Sequence, residues 1–470
     1  MSKFNGKELS SKNASLGPAS STHEGGPNRA LSAKAELLKI CLTSFLGKTF
    51  YETPADTMRR VSEYADALIN AGEGAFIPKL AVFSREYGLR SVNHYLAAYY
   101  VYRMRGRQGF RDELSAFLRK LVWRPDELGE IVGALTHING SEKPVFPNSL
   151  KSAFAELLSS GKFSDYQLAK YKNAGGFKTV DIVKLSHPAK CPESVGLLMK
   201  GKLPSADTWE TAISKPGADK KAEFERLLSE EKVSGKALLM NVRQMLAAGV
   251  DSVKIEKAIE KDSFKGIFPY EFLRTLRALS ESSPSPSLVR SLERKASESF
   301  RSLGLGKVAV LVDTSGSMND KFGGAKSTLS RKDLASFYGA MAASNGGVAY
   351  AWATDCRKVD VIPGDGILRI ASQISKINVG LGTEIQKALD RVKDEYETAL
   401  VFSDMQFADS IKDTGKLKRI YCFNLGSYAG TVSDGGKIVE LAGFDDLMFR
   451  IGSDLRNIGP LVSEIEKIRF

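Results

Sequence analysis

Asp313, Ser315 and Ser317 occupy alternate positions in Val308-Ala-Val-Leu-Val-Asp-Thr-Ser-Gly-Ser317, where the chain leaves a run of apolar residues. A carboxylate and two hydroxyls spaced this way are hard oxygen donors, suited to Mg²⁺, which keeps several waters and takes few protein carboxylates. Two later segments supply further donors. Thr383 lies in Gly380-Leu-Gly-Thr-Glu, which opens a helix, and Asp404 lies in Val401-Phe-Ser-Asp-Met-Gln, after a second apolar run. The alternative reading is a set of capping hydroxyls and a turn aspartate. Enzymatic readings find less support. A phosphotransferase with an aspartyl nucleophile would want a second carboxylate two residues after Asp313, where Ser315 stands. Gly175-Gly-Phe-Lys-Thr and Gly435-Gly-Lys-Ile each lack a residue that a phosphate-binding loop needs. No Ser/His/Asp or Cys/His set is recognisable, and a metal-dependent hydrolase at Asp313 and Asp404 would be short of general bases. The expectation is a protein that is not an enzyme.

These residues need a scaffold that brings three distant segments to one edge. After about residue 304, short apolar runs at 308–312, 348–353, 399–402, 420–423 and 447–451 alternate with helical segments near 331–344, 383–394 and 454–468. Buried strands interleaved with helices indicate a doubly wound α/β sheet, which places ligands at the carboxyl ends of its strands.

Earlier in the chain the period changes to that of helices. Leu38, Cys41, Leu42 and Phe45 fall at i, i+3, i+4, i+7, as do Val61, Tyr64, Ala65 and Leu68. Leu114, Phe117, Leu118 and Leu121 repeat the spacing, and so do Leu128, Ile131, Val132 and Leu135. Thr53, Pro54 and Gly72 punctuate the second set as cap, first helical residue and stop. Further helices are expected at 149–160, 221–231, 236–248 and 268–280, and no strand before about residue 300. Short amphipathic helices in series suggest a stacked array of degenerate helical repeats, with an ordinary multi-helix globule as the alternative. Residues 1–30, rich in Ser, Gly, Asn and Pro, read as a flexible arm. The expected division is therefore 1–30, 31–303 and 304–470.

The chain has 470 residues, 43% hydrophobic and 26% charged, which excludes disorder for its bulk. Its 67 basic against 55 acidic residues leave a net +12. Of these, 45 basic and 34 acidic lie within residues 1–300, against 22 and 21 within 301–470, so a polyanionic partner would belong to the first part. Cys41, Cys191, Cys356 and Cys422 form no framework spacing, and no apolar signal segment precedes them, pointing to a reducing cytoplasm. His23, His94, His137 and His187 show no zinc-ligand spacing. No apolar run is long enough to span a membrane.

The basic surplus is patterned. Arg103, Arg105, Arg107 and Arg111 interleave with Tyr99, Tyr100, Tyr102 and Phe110, as in sites for single-stranded nucleic acid, or else as a helix with aromatics in the core and arginines solvated. Residues 143–200 carry nine lysines against four acids. Within them runs Lys170-Tyr-Lys172-Asn-Ala-Gly-Gly-Phe-Lys178-Thr-Val-Asp-Ile-Val-Lys184-Leu-Ser-His187-Pro-Ala-Lys190.

Two resemblances follow from these residues. The Asp313, Ser315, Ser317, Thr383 and Asp404 set resembles the metal-ion-dependent adhesion site of the von Willebrand factor A domain, which implies a divalent cation, Mg²⁺, whose open position accepts an acidic group. The 170–190 segment resembles the TROVE domain of the Ro autoantigen family, as do Thr208-Trp-Glu210 and Ala237-Leu-Leu-Met240-Asn241-Val-Arg243. Ala174 and Met240 depart from that pattern at positions where relatives carry basic residues. The resemblance implies a ring of HEAT-type helical repeats followed by a Rossmann-like A domain, monomeric, binding small noncoding Y-like RNA outside and single-stranded ends of misfolded RNA in a central hole. It further implies RNA quality control with an exoribonuclease partner. By position, Lys170, Lys172, Lys178, Lys184, His187 and Lys190 would contact structured RNA, with Arg103, Arg105 and Arg107 as further basic candidates. Asn241 and Arg243 would line the hole. The competing reading is a metal-dependent protein-interaction scaffold without RNA.

Overall fold

The computed structural model describes residues 21–44, 52–86, 91–174, 176–205, 208–215, 217–265, 267–280, 282, 284–298, 307–322, 328–362, 364–434, 436–442 and 458–470. The expected boundary near 304 and the expected strand at 447–451 lie outside these residues. The chain divides into two compact units. Among the described residues, one holds Pro54–Ser214 and Val462–Phe470, the other residues 21–44 and Lys215–Leu461.

After α1 (Ala33–Thr43), the first unit begins with α2 (Pro54–Asn70), α3 (Phe76–Glu86), α4 (Ser91–Met104), α5 (Phe110–Leu121) and α6 (Asp126–Ile138). It continues through α7 (Asn148–Ser159), α8 (Asp165–Tyr171), α9 (Thr179–Ser186), α10 (Glu193–Met199) and α11 (Trp209–Ile213). α2 starts at Pro54 and gives way to Gly72 at φ +78°, as its punctuation requires, with Val61, Ala65 and Leu68 buried. Helices pack on the neighbour two places along the chain: α3 on α5, α4 on α6, α5 on α7 and α7 on α9. That stagger is the signature of stacked helical pairs, in which each helix buries its stripe against the next layer. The last residues of the chain join this unit. Phe470 lies against Phe117, and Lys120 Nζ donates to the Arg469 carbonyl at 2.6 Å.

In the second unit the same stagger recurs through α12 (Lys220–Ser229), α13 (Gly235–Ala247), α14 (Ser252–Lys261), α15 (Pro269–Leu279) and α16 (Pro286–Glu298). A six-stranded sheet follows, formed by β1 (Ala309–Asp313), β2 (Val348–Trp352), β3 (Cys356–Lys358), β4 (Thr398–Ser403), β5 (Arg419–Asn424) and β6 (Ile438–Ala442). Its order is β3-β2-β1-β4-β5-β6, parallel except for the β2–β3 hairpin. β1 is buried at every position, the property of a strand covered on both faces. α17 (Arg331–Ser344) packs on β1 and on α18 (Ile367–Lys376), while α19 (Ile385–Asp390) shares a core with Leu311, Trp352 and Val401. A last helix, α20, runs over Ile458–Glu466.

Residues 21–30, expected within a flexible arm, are hydrogen-bonded to the sheet domain. Arg29 forms a bridge with Thr431, and Asn28 Nδ2 donates to the Ala429 carbonyl at 2.8 Å. α1 continues this attachment. It is buried almost all round, packs on β6, and its Glu36 accepts from the Gly430 N–H at 2.6 Å while Lys39 donates to the Gly430 carbonyl.

Candidate functional site

Strand order reverses at β1, whose neighbours β2 and β4 connect to it in opposite directions, and α/β folds open their ligand crevice at such a point. Asp313 is the last residue of β1 and is completely buried. Its Oδ1 accepts the Ser315 N–H at 2.8 Å, folding the chain back so that the Ser315 and Ser317 hydroxyl oxygens lie 3.4 Å apart. The Gly316 N–H donates to the Leu381 carbonyl at 3.0 Å, which ties this turn to the Thr383 loop. Thr383 Oγ1 donates to the Gln406 carbonyl at 2.7 Å, and the Gln406 N–H donates to Asp404 Oδ1 at 3.2 Å. Three segments separated by as many as ninety residues thus form one hydrogen-bonded cluster, with Asp313, Ser315, Ser317, Thr383 and Asp404 all buried.

The electrostatics of this cluster are unbalanced. Burial pushes the Asp313 carboxyl well above the usual carboxylate range, and the Asp404 charge pushes it further. Burial raises Asp404 as well, opposed by the Arg331 guanidinium, the Gln406 N–H and the Ser317 hydroxyl. Asp404 Oδ2 is buried without a hydrogen-bond partner. An orphaned carboxylate oxygen beside a second buried carboxylate and three hydroxyls is a donor set that a hard divalent cation satisfies. Among the described residues no three His, Cys, Asp or Glu side chains are placed to hold a metal ion together, so any cation here would rely on the hydroxyls.

Four residues of this cluster were not anticipated. Ser403 Oγ donates to Asp313 Oδ2 at 2.5 Å, a neighbour relation set by the β1–β4 register that pairs Val312 with Phe402. Asp409 accepts the Ile385 and Gln386 N–H groups at 2.7 and 3.1 Å and so caps α19. Gln406 links the Thr383 and Asp404 loops. Arg331, buried at the start of α17, donates to the Tyr428 hydroxyl at 3.0 Å.

The basic candidates divide by exposure. Lys178, Lys184, His187 and Lys190 are exposed around α9. His187 closes that helix in the left-handed region, φ +51°, a place where glycine is usual. Lys170 and Lys172 are half-buried, Lys170 paired with Glu210 at 3.2 Å and Lys172 donating to the Leu203 carbonyl at 3.3 Å. Tyr166, which sequence reasoning passed over, is 48% exposed with Lys170 Nζ 5.7 Å from its ring centre. In the arginine stretch, Tyr99, Tyr100 and Phe110 are core residues, while Arg103 pairs with Asp66 and Arg107 with Glu113. The alternative weighed for that stretch, aromatics inside and arginines outside, describes it.

Asn241 needs correction. Expected to line a hole, it is completely buried and donates to the Ala237 carbonyl at 2.8 Å. It sits with Leu238, Val242 and Met245 at i, i+3, i+4, i+7 on the buried stripe of α13, a spacing visible in the sequence. Arg243 is exposed and lines a cavity of about 750 Å³ with Lys236, Met240, Arg274 and Arg277. No disulfide joins Cys41, Cys191, Cys356 and Cys422, and no helix among the described residues is long and apolar enough to cross a membrane.

No family model matches the sequence, and no curated protein matches it. Among solved structures, the crystal structure of the Deinococcus radiodurans Ro (RSR) protein superposes with a TM-score of 0.57 at 14% identity, over 91% of this chain and 100% of that one. Helical layers followed by a mixed α/β sheet are therefore arranged here in a Ro-like fold.

Proposed function

We propose that the protein is a non-catalytic, cytoplasmic RNA-binding protein of the Ro type. In this reading a TROVE ring spans 31–303 and an A domain spans 304–470. The observation that carries it is the exposed set Lys178, Lys184, His187 and Lys190 around α9, with His187 held in a conformation disfavoured for a residue with a Cβ. Exposed lysines bind phosphates with strong salt dependence and little sequence preference, as a small structured Y-like RNA would require. Single-stranded ends of misfolded RNA would engage the cation-lined cavity at Arg243, which takes part in no ion pair among the described residues. An exoribonuclease would then act on what the protein retains.

The cluster at Asp313 is read as an adhesion-type site holding Mg²⁺ through Asp313, Ser315, Ser317, Thr383 and Asp404. Bound there, the cation would supply a positive charge able to accept a carboxylate. The decisive experiment is the affinity for small structured RNAs with single-stranded tails at two salt concentrations. Tight binding that weakens steeply with salt is expected, and no binding at low salt overturns the reading.

A second reading, a protein scaffold without RNA, is favoured by one observation: Leu381, in the loop of Thr383, is 74% exposed. An absorbance ratio at 260 and 280 nm typical of nucleic-acid-free protein, with chelator-sensitive capture of an acidic protein, would support it.

A further inference from the structure

Asp404 is followed by Met405, whose φ of +61° puts a long side chain in the left-handed region. Such a conformation is unfavourable for any residue bearing a Cβ and persists where the surroundings over-determine it. What surrounds this loop is the segment 21–28. Thr22 Oγ1 donates to the Phe407 carbonyl at 2.5 Å, and the Gly26 N–H donates to the same carbonyl at 3.0 Å. The His23 N–H donates to Gln406 Oε1 at 2.9 Å. The segment is itself shaped to do this: Thr22 N–H donates to the Gly26 carbonyl at 2.8 Å, closing a turn whose glycine presses flat on the loop. A Cβ at Gly26 would stand 2.2 Å from the Phe407 oxygen. Both Thr22 and Gly26 are buried. A second grip comes from the His23 ring, edge-on to Tyr428 at 5.4 Å, and Tyr428 receives the hydrogen bond of Arg331.

We propose that residues 21–28 are a positioning strap for the cation site, with Thr22, His23 and Gly26 fixing the Asp404–Gln406 turn so that Asp404 Oδ2 and Thr383 Oγ1 are presented to the same ion. The inference rests on the cation reading above and deepens it. The strap touches no ligand atom. It acts through Gln406, whose N–H holds the other oxygen of Asp404 and whose carbonyl receives the Thr383 hydroxyl. Partners of this kind, one bond removed from the ligands, typically change metal affinity by about 10–100-fold when lost.

The test is calorimetric titration of the full-length protein with Mn²⁺, comparing wild type with Thr22→Val, Thr22→Ser and Gly26→Ala. Thr22→Val keeps the side-chain volume and loses the donor, so it decides the matter even where Gly26→Ala fails to fold. The expected result is Mn²⁺ affinity weakened about tenfold or more in Thr22→Val and Gly26→Ala, and restored in Thr22→Ser. Wild-type affinity in Thr22→Val overturns the strap and leaves the cation site standing. Absence of Mn²⁺ uptake by the wild type overturns the cation site and the strap with it.

Discussion

Ser403 donates its hydroxyl to Asp313 Oδ2 at 2.5 Å, so the last residue of one central strand holds the last residue of its neighbour. The bond is buried on both sides, with both residues fully inaccessible. Ser403→Ala should therefore cost about 1 kcal/mol of stability in metal-free protein, the ordinary worth of a buried hydrogen bond, with a further penalty from the unsatisfied Asp313 oxygen. Chemical denaturation in a chelator checks this. A change below a few tenths of a kcal/mol would mean that the carboxylate finds another donor.

Divalent cation should stabilise the native state by mass action. At a hundredfold excess over its dissociation constant, Mg²⁺ should add about 2.7 kcal/mol, seen as a raised melting temperature that a chelator reverses. Asp404→Ala should abolish the Mg²⁺ response while removing a buried carboxylate oxygen that has no hydrogen-bond partner in the metal-free protein. Equal Mg²⁺ responses in wild type and variant would place the ion elsewhere.

Glu293 on α16 is 8% exposed and accepts the Leu368 N–H at 2.8 Å; burial raises its carboxyl above the ordinary range, opposed by that bond. A carboxyl raised on folding contributes fully below its unfolded value, about 4.3, and the contribution is lost as pH rises through the folded value. Glu293→Gln keeps an oxygen for Leu368 and carries no charge. The variant should match wild type near pH 4 and melt higher at neutral pH. Parallel melting curves across that range would show that the carboxylate is solvated after all.

RNA affinity should register the exposed lysines as a set. Replacing Lys178, Lys184 and Lys190 together by alanine should reduce the slope of log affinity against log salt by about 2, given 0.7–0.9 for each phosphate contact. Arg103→Ala should change the slope little, because its guanidinium is already paired with Asp66. Filter binding over a salt series separates the two.

His187→Gly should move stability and binding in opposite directions. Relief of the left-handed conformation is worth about 1 kcal/mol, while loss of the exposed imidazole should weaken RNA. A variant that binds as wild type would make His187 a helix terminus alone.

The sequence was most legible where one physical rule dominates. Val308–Asp313 reads as a buried strand ending in a ligand because every residue before Asp313 is apolar, and the strand Ala309–Asp313 is buried throughout. β3 escaped notice because it has three residues, two of them the exposed Arg357 and Lys358. β6 escaped because Glu440 interrupts its apolar run; in the structure that carboxylate is buried and satisfied by Asn424 and Thr431 at 2.6 Å each. Residues 21–28 look like a linker in composition, since their order comes from acceptors nearly four hundred positions away, which no local pattern encodes. Asn241 shows the opposite case: its motif points to a hole, its helical spacing with Leu238, Val242 and Met245 points inward, and the structure follows the spacing.

The 385 positions between Thr22 and Phe407 also set a timetable. Ribosomes add about 5–20 residues per second, so the strap and α1, buried almost all round in the finished protein, are made roughly 20–80 s before the strands they pack on. Over that interval Pro54–Ser214 emerges as one uninterrupted stretch, while Val462–Phe470, which belongs to the same unit, is made last. The amino-terminal segment is thus synthesised early and seated late, which makes the nascent chain, more than the finished protein, the state in which chaperones have apolar surface to hold.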